Sequence, residues 1–177
     1  MPLTIEGDAA VTGVVTYPHW AWGTGVELAP GTLARALVGG PSVEFLMMHG
    51  WRGGLTLAAT DSDAAPMGLS VESEMLSYRA DMIDDHLDAV QAWQKVDAGL
   101  MREASMGYFI VDGEWVFRNG EEVFYVTELS LDGGDISIVR RGGSPQTRSR
   151  TRSEAGRWHP MNRVGWMLPQ SGASRQN

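Results

Sequence analysis

The sequence holds four histidines, His19, His49, His86 and His159, and no cysteine. Disulfides, cysteine metal sites and cysteine nucleophiles are therefore excluded. Covalent chemistry would fall to a hydroxyl, and a hydroxyl needs a base to take its proton. Ser105 lies in "REASMGYFI", between Ala104 and Met106 with Gly107 beyond, so small side chains clear space around it. His49 ends the run "SVEFLMMHG" and is followed by Gly50, a setting that leaves an imidazole room to act as a general base. A carboxylate is then needed to orient that ring. Asp135 opens "DISIV" just past Gly133-Gly134. His19 belongs to the aromatic cluster "YPHWAW" and His159 to the C-terminal region. "DMIDDH", taken with His49, could be read as a metal site, but a helix start already accounts for Asp84 and Asp85. On spacing alone the three candidates also have plain structural readings. Ser105 is then a strand residue, His49 a strand-end histidine bonded to backbone, and Asp135 a turn residue. No G-x-S-x-G elbow is present.

Several elements must position these residues. "GDAAVTGVVTYP" predicts one or two strands, and "WAWGTGVELAPG" a Gly/Pro-rich surface loop followed by the short helix "TLARAL". "SVEFLMMHGW" alternates, with Val43, Phe45, Met47 and His49 pointing one way. "GLTLAAT" predicts a strand, and "LSVESEMLSYRADMI" one long strand or two short ones. The clearest helix is "DDHLDAVQAWQKVDAG", with Leu87, Val90, Trp93 and Val96 as its apolar stripe and Gly99 as its stop. The Ser105 strand follows. Asp112-Gly113 and Asn119-Gly120 are both hairpin-turn pairs, and "DGG" at 132–134 turns the chain into the last strand, "DISIV". The fold class expected is mainly β (α+β): a small, closed or partly closed β-barrel of about seven strands with surrounding helices.

Charge divides the chain. Residues 140–177 carry eight basic residues and one acid, a net +7, whereas residues 1–139 carry six basic and twenty-one acidic residues, a net −15. The basic stretch "RGGSPQTRSRTRSEAGR" has no apolar periodicity. The expected organisation is a β-barrel domain over 1–141 and a basic, flexible C-terminal tail over 142–177. Trp158, Val164, Trp166, Met167 and Leu168 give that tail a docking patch. An acidic body with a basic tail does not fit a specific nucleic-acid binder. The N-terminus "MPLTIEGDAAV" lacks the basic and apolar regions of a secretory signal, and no apolar run reaches membrane-spanning length. A soluble chain made in a cytoplasm is expected, with no cofactor and no metal.

Order and context add a resemblance. Over roughly residues 3–147 the chain resembles the prohead maturation proteases of tailed bacteriophages. "EGDAAVTGVV" is similar to that family's Gly-rich first strand, and "LAPGTLARAL" to its Pro-Gly segment. "VEFLMMHG" resembles the strand that ends in the catalytic His, "REASMGYFI" the strand that carries the nucleophilic Ser, and "DISIVRRGGSPQT" the segment with the third triad member. The resemblance implies Ser105 as nucleophile, His49 as general base and Asp135 as orienting acid, on a herpesvirus assemblin-like barrel. Asp135 stands where the family usually has Glu, Gly50 where it commonly has Asp, and Ala104 where it has Met. Glu128, in "ELSL", is a rival for the acid. Arg140 and Arg141 resemble an Arg-Arg-Gly near the assemblin active site, where an Arg helps hold the oxyanion water; the alternative assigns both to the basic tail. The activity implied is a serine endopeptidase inside the assembling prohead in the host cytoplasm. Its substrates would be the scaffold protein, the N-terminal extension of the major capsid protein, and the protease itself. Analogy with assemblins implies a homodimer. The alternative is a catalytically inactive barrel of the same descent that binds scaffold or capsid.

Overall fold

The computed structural model describes residues 3–18, 21, 23–49, 55–144 and 146–152. Its elements in chain order are β1 (Leu3–Val11), β2 (Val15–Thr16), β3 (Gly25–Leu28), α1 (Thr32–Ala36), β4 (Val43–Met47), β5 (Leu55–Ala59), β6 (Met67–Glu72), β7 (Met75–Met82), α2 (Leu87–Asp97), β8 (Glu103–Arg118), β9 (Glu121–Val139) and β10 (Arg148–Arg152). The longest feature is the β8–β9 hairpin. Its turn is Asn119-Gly120, both in the left-handed region at φ 52° and 87°, as a two-residue turn matched to strand twist requires.

Two sheets form. One has the order β10-β1-β7-β6 and is antiparallel throughout. The other has the order β2-β3-β9-β4-β5, with β8 on the remaining edge of β9. It is mixed, because β3 and β4 both run parallel to β9. The expected barrel of about seven strands is corrected: among the described residues ten strands form two open sheets. Among the described residues β8 pairs with β9 alone, and its outer part exposes Phe109, Val111, Trp115 and Phe117 instead of closing on another strand. The first sheet meets β8 at its start, where the Ser149 amide donates to the Arg102 carbonyl at 2.8 Å. Between the sheets lie Ile5, Leu33, Phe45, Leu76, Met82, Leu131, Ile136 and Ile138, all fully buried. Phe45 of β4 meets Tyr78 of β7 with ring centroids 5.4 Å apart, joining the layers.

Four local expectations are revised. Asp112-Gly113 is no turn: β8 runs through it, and a register shift against β9 falls there. A Cβ on Gly113 would sit 2.7 Å from the Tyr125 carbonyl oxygen, so close strand approach is what the glycine permits. The "DGG" segment likewise lies inside β9, with Gly133 at φ 72°. Six residues of β9, from Ser130 to Asp135, there face only the step from Gly107 to Phe109. "GVEL" is a buried strand, not a surface loop; β2 and β9 pair with its two edges, all four of its residues are buried, and Glu27 is held by Arg118 at 2.8 Å. The helix α2 buries Ala89, Ala92 and Val96, while Leu87 is 69% exposed. Small alanines let the helix approach closely, which rotates the buried stripe away from the one expected.

The division after Arg141 does not mark the end of the sheets. Arg148–Arg152 form β10, paired with β1 from Thr4↔Arg152 to Asp8↔Arg148. Thr147 is buried, the Tyr78 hydroxyl donates to Ser149 Oγ at 2.7 Å, and Arg150 pairs with Glu6 at 3.0 Å. A stretch without apolar periodicity is thus ordered as an edge strand by its partners on β1 and β7. His19, Trp20, Gly50 and residues 153–177, with the expected docking patch and His159, lie outside the described residues.

Candidate active site

The second half of β9 is the platform of the site. Asp135, Ser137 and Val139 share one face, and Ile136 and Ile138 the other, which is the core face. β8 lies antiparallel on one edge with Glu103↔Val139, Ser105↔Ser137 and Gly107↔Asp135. Directly opposed residues project to the same side. Ser105 therefore stands on the Asp135 face, one strand over, beside Ser137. It is half-buried, and its neighbour Ala104 is fully buried on the core face.

On the other edge β4 runs parallel, with Leu46↔Ser137 and Met47↔Ile138. Strict alternation would carry His49 onto the core face with Met47. Met48 prevents this. Its backbone is left-handed at φ 66°, and its amide still donates to the Ile138 carbonyl at 3.2 Å. The chain thus leaves the strand in a tight bend, and His49 comes back over the opposite face of β9. There its Nδ1 lies 2.8 Å from Asp135 Oδ1, both side chains mostly buried at 17% and 16% exposure. A carboxylate only accepts, so Nδ1 carries the proton in this contact and Nε2 carries the lone pair.

Asp135 is held on two further sides. The Ser137 hydroxyl donates to the same Oδ1 at 2.5 Å. The other oxygen lies over Gly107, where a Cβ would overlap Oδ2. Glu128, the rival acid, is exposed and faces Asp112 in mid-ribbon, seven positions before Asp135. That places it about 20 Å away at ordinary strand rise, out of reach of His49.

Arg140 and Arg141 follow β9 and are exposed. The next amide, of Gly142, donates to Glu103 Oε2 at 2.6 Å, which fastens this turn beside the strand that bears Ser105. A Cβ on Gly142 would overlap the Ala104 carbonyl oxygen, so the turn packs directly on the backbone before Ser105. His86 is the extended residue that precedes α2, away from this cluster in the chain and exposed. Among the described residues no group of three or more His, Asp or Glu is arranged to hold a metal.

The structure thus brings His49 and Asp135 into contact and sets Ser105 on the same face. Sequence reasoning missed Met48, Ser137 and the Glu103–Gly142 clasp, and it read Gly107 as clearing space for Ser105, whereas the bare backbone there makes room for Asp135. A signal for Ser137 existed: at i+2 from Asp135 in a strand, it had to share the acid's face.

No curated protein and no solved structure gives a significant match to the chain. The family model described as Caudovirus prohead serine protease matches residues 4–160, most of the chain and every strand of both sheets. The chain belongs to the caudovirus prohead serine protease family.

Proposed function

We propose that the protein is a serine endopeptidase that matures a phage procapsid, with Ser105 as nucleophile, His49 as general base and Asp135 as orienting acid. The observation that carries this reading is the His49–Asp135 contact at 2.8 Å on the face to which strand register assigns Ser105. In the reaction, His49 Nε2 takes the Ser105 proton as Oγ attacks the scissile carbonyl. Asp135 keeps the proton of the neutral ring on Nδ1 and stabilises the imidazolium that forms. His49 then returns its proton to the leaving amine, and water repeats the cycle on the acyl-enzyme. The oxyanion needs donors, and Arg140-Arg141, in the turn that the Gly142 amide clasps to Glu103, is the segment we assign to that work.

The substrates in this reading are the scaffold protein and the N-terminal extension of the major capsid protein, cut inside the assembling prohead, together with the protease itself. A homodimer belongs to the same reading. The test is co-expression with the capsid and scaffold proteins of the same phage. The wild-type chain is expected to cleave them, and Ser105→Ala to lose at least about 10⁴-fold in rate while keeping its melting temperature. Full processing by Ser105→Ala would refute the assignment. Absence of processing by the wild type, with wild type and Ser105→Ala both still bound to scaffold or capsid, would favour an inactive binding module.

A further inference from the structure

We infer that Ser137 is a positioning residue: its hydroxyl fixes the Asp135 carboxylate in the orientation that aligns His49. For its part in cleavage, this inference rests on the function proposed above. Ser137 is fully buried between Ile136 and Ile138, at a position where a β-branched apolar residue would suit a strand better. A buried hydroxyl is costly unless it is bonded. Its bond goes to Asp135 Oδ1 at 2.5 Å, the oxygen that also takes the His49 Nδ1 contact at 2.8 Å. One carboxylate oxygen therefore accepts from both, and Ser137 keeps its proton throughout. The second oxygen is confined by the bare backbone of Gly107. Hydroxyl on one side and glycine on the other leave the carboxylate little freedom to turn. Asp is shorter than the Glu expected at this position, and this pair of constraints is what lets a short acid reach the ring in a fixed pose.

The hydroxyl also bonds the charged form of the carboxylate. Without it the Asp135 carboxylate is free to turn and its pairing with the imidazolium changes, so the His49 titration should move. Other titratable groups on this face are Glu44 of β4, opposite Asp135, and Glu103 of β8, opposite Val139; Arg140 and Arg141 follow β9. All are unchanged in the variant and cancel in a comparison with wild type.

The test uses the full chain and two readouts. Cleavage of a capsid or scaffold substrate by Ser137→Ala is expected to show kcat down by about tenfold to a hundredfold with KM nearly unchanged, since a bond to a charged group is lost. The acid limb of its pH profile should move. Independently of cleavage, the His49 ring resonances followed by NMR should titrate at a different pH in Ser137→Ala from wild type. Ser137→Cys, close in size but a weak donor, should fall between them, and it replaces the alanine variant if that variant's melting curve shows misfolding. An unchanged His49 midpoint would overturn the inference, as would a fall in kcat without any movement of the acid limb. A shifted midpoint in a protein that cleaves nothing would leave the Ser137–Asp135–His49 coupling standing and remove the protease reading instead.

Discussion

Met48 decides which face of β9 receives His49. Its left-handed backbone costs a non-glycine residue roughly 1–2 kcal/mol, and its side chain is substantially exposed. Met48→Gly should therefore keep or slightly raise the melting temperature and retain activity. Met48→Val, which resists positive φ, should lower both, with a loss of tenfold or more in kcat/KM; equal behaviour of the two variants would show that the bend is not what aims His49. At Asp135, exchange for Asn keeps the size but spoils the Nδ1 tautomer. The expected loss is severe yet about tenfold to a hundredfold milder than that of Ser105→Ala. Glu128→Gln should be silent in the same assay, because Glu128 lies far along the ribbon; the reverse pattern would return the role of the acid to Glu128. Ser105, His49 and Asp135 stood out in the sequence as candidates because each lies in or just beyond a run that resembles a family strand, and their roles belong to the function proposed above. The roles of Ser137, Gly107 and Met48 did not stand out, because they depend on which residue the register sets opposite them and on one dihedral angle.

Among the elements, β10 carries the clearest disagreement with sequence pattern. "RSRTR" has no apolar residue, yet it forms five register pairs with β1 and brings Ser149 to the buried Tyr78 hydroxyl. Burial raises the Tyr78 pKa well above the usual phenol value, so this tyrosine stays neutral and donates. Truncation after Arg141 would strip the β1 edge and leave that hydroxyl without its acceptor. We expect a fall of about 10 °C in melting temperature, consistent with a few kcal/mol in a domain of this size. Truncation after Arg152 keeps every described strand and should cost much less. Equal melting of the two truncations would mean that β10 contributes nothing to stability. The Asn119-Gly120 turn and the strands at β1, β4, β5, β6 and β7 were readable from alternation and turn chemistry. The parallel strand β3 was not, since a strand buried on both faces loses its alternation. Asp112-Gly113 and Asp132-Gly133-Gly134 misled because the glycines that make turns also make bulges.

Across the whole molecule, the mainly β class was recoverable from the number of short alternating runs, whereas closure into a barrel was not. Closure depends on whether the last edges meet, and here β8 ends its sheet with aromatic side chains exposed along the ribbon. The arrangement of strands around β9 also imposes an order in time. Ser105 and Ser137 are 32 positions apart within a single hairpin, whereas His49 and Asp135 are 86 positions apart and meet only when β4 docks in parallel. Closing the longer loop costs about 1 kcal/mol more in chain entropy, and long-range parallel pairing is intrinsically slow. In refolding from denaturant, amide protection in the β8–β9 hairpin should accordingly precede the return of cleavage, and simultaneous recovery would contradict this sequence of events. A newly made chain then holds its serine strand and acid strand together before it holds its base. In the function proposed above, a delay between synthesis and cleavage would come from the connectivity of the sheet and require no separate inhibitor.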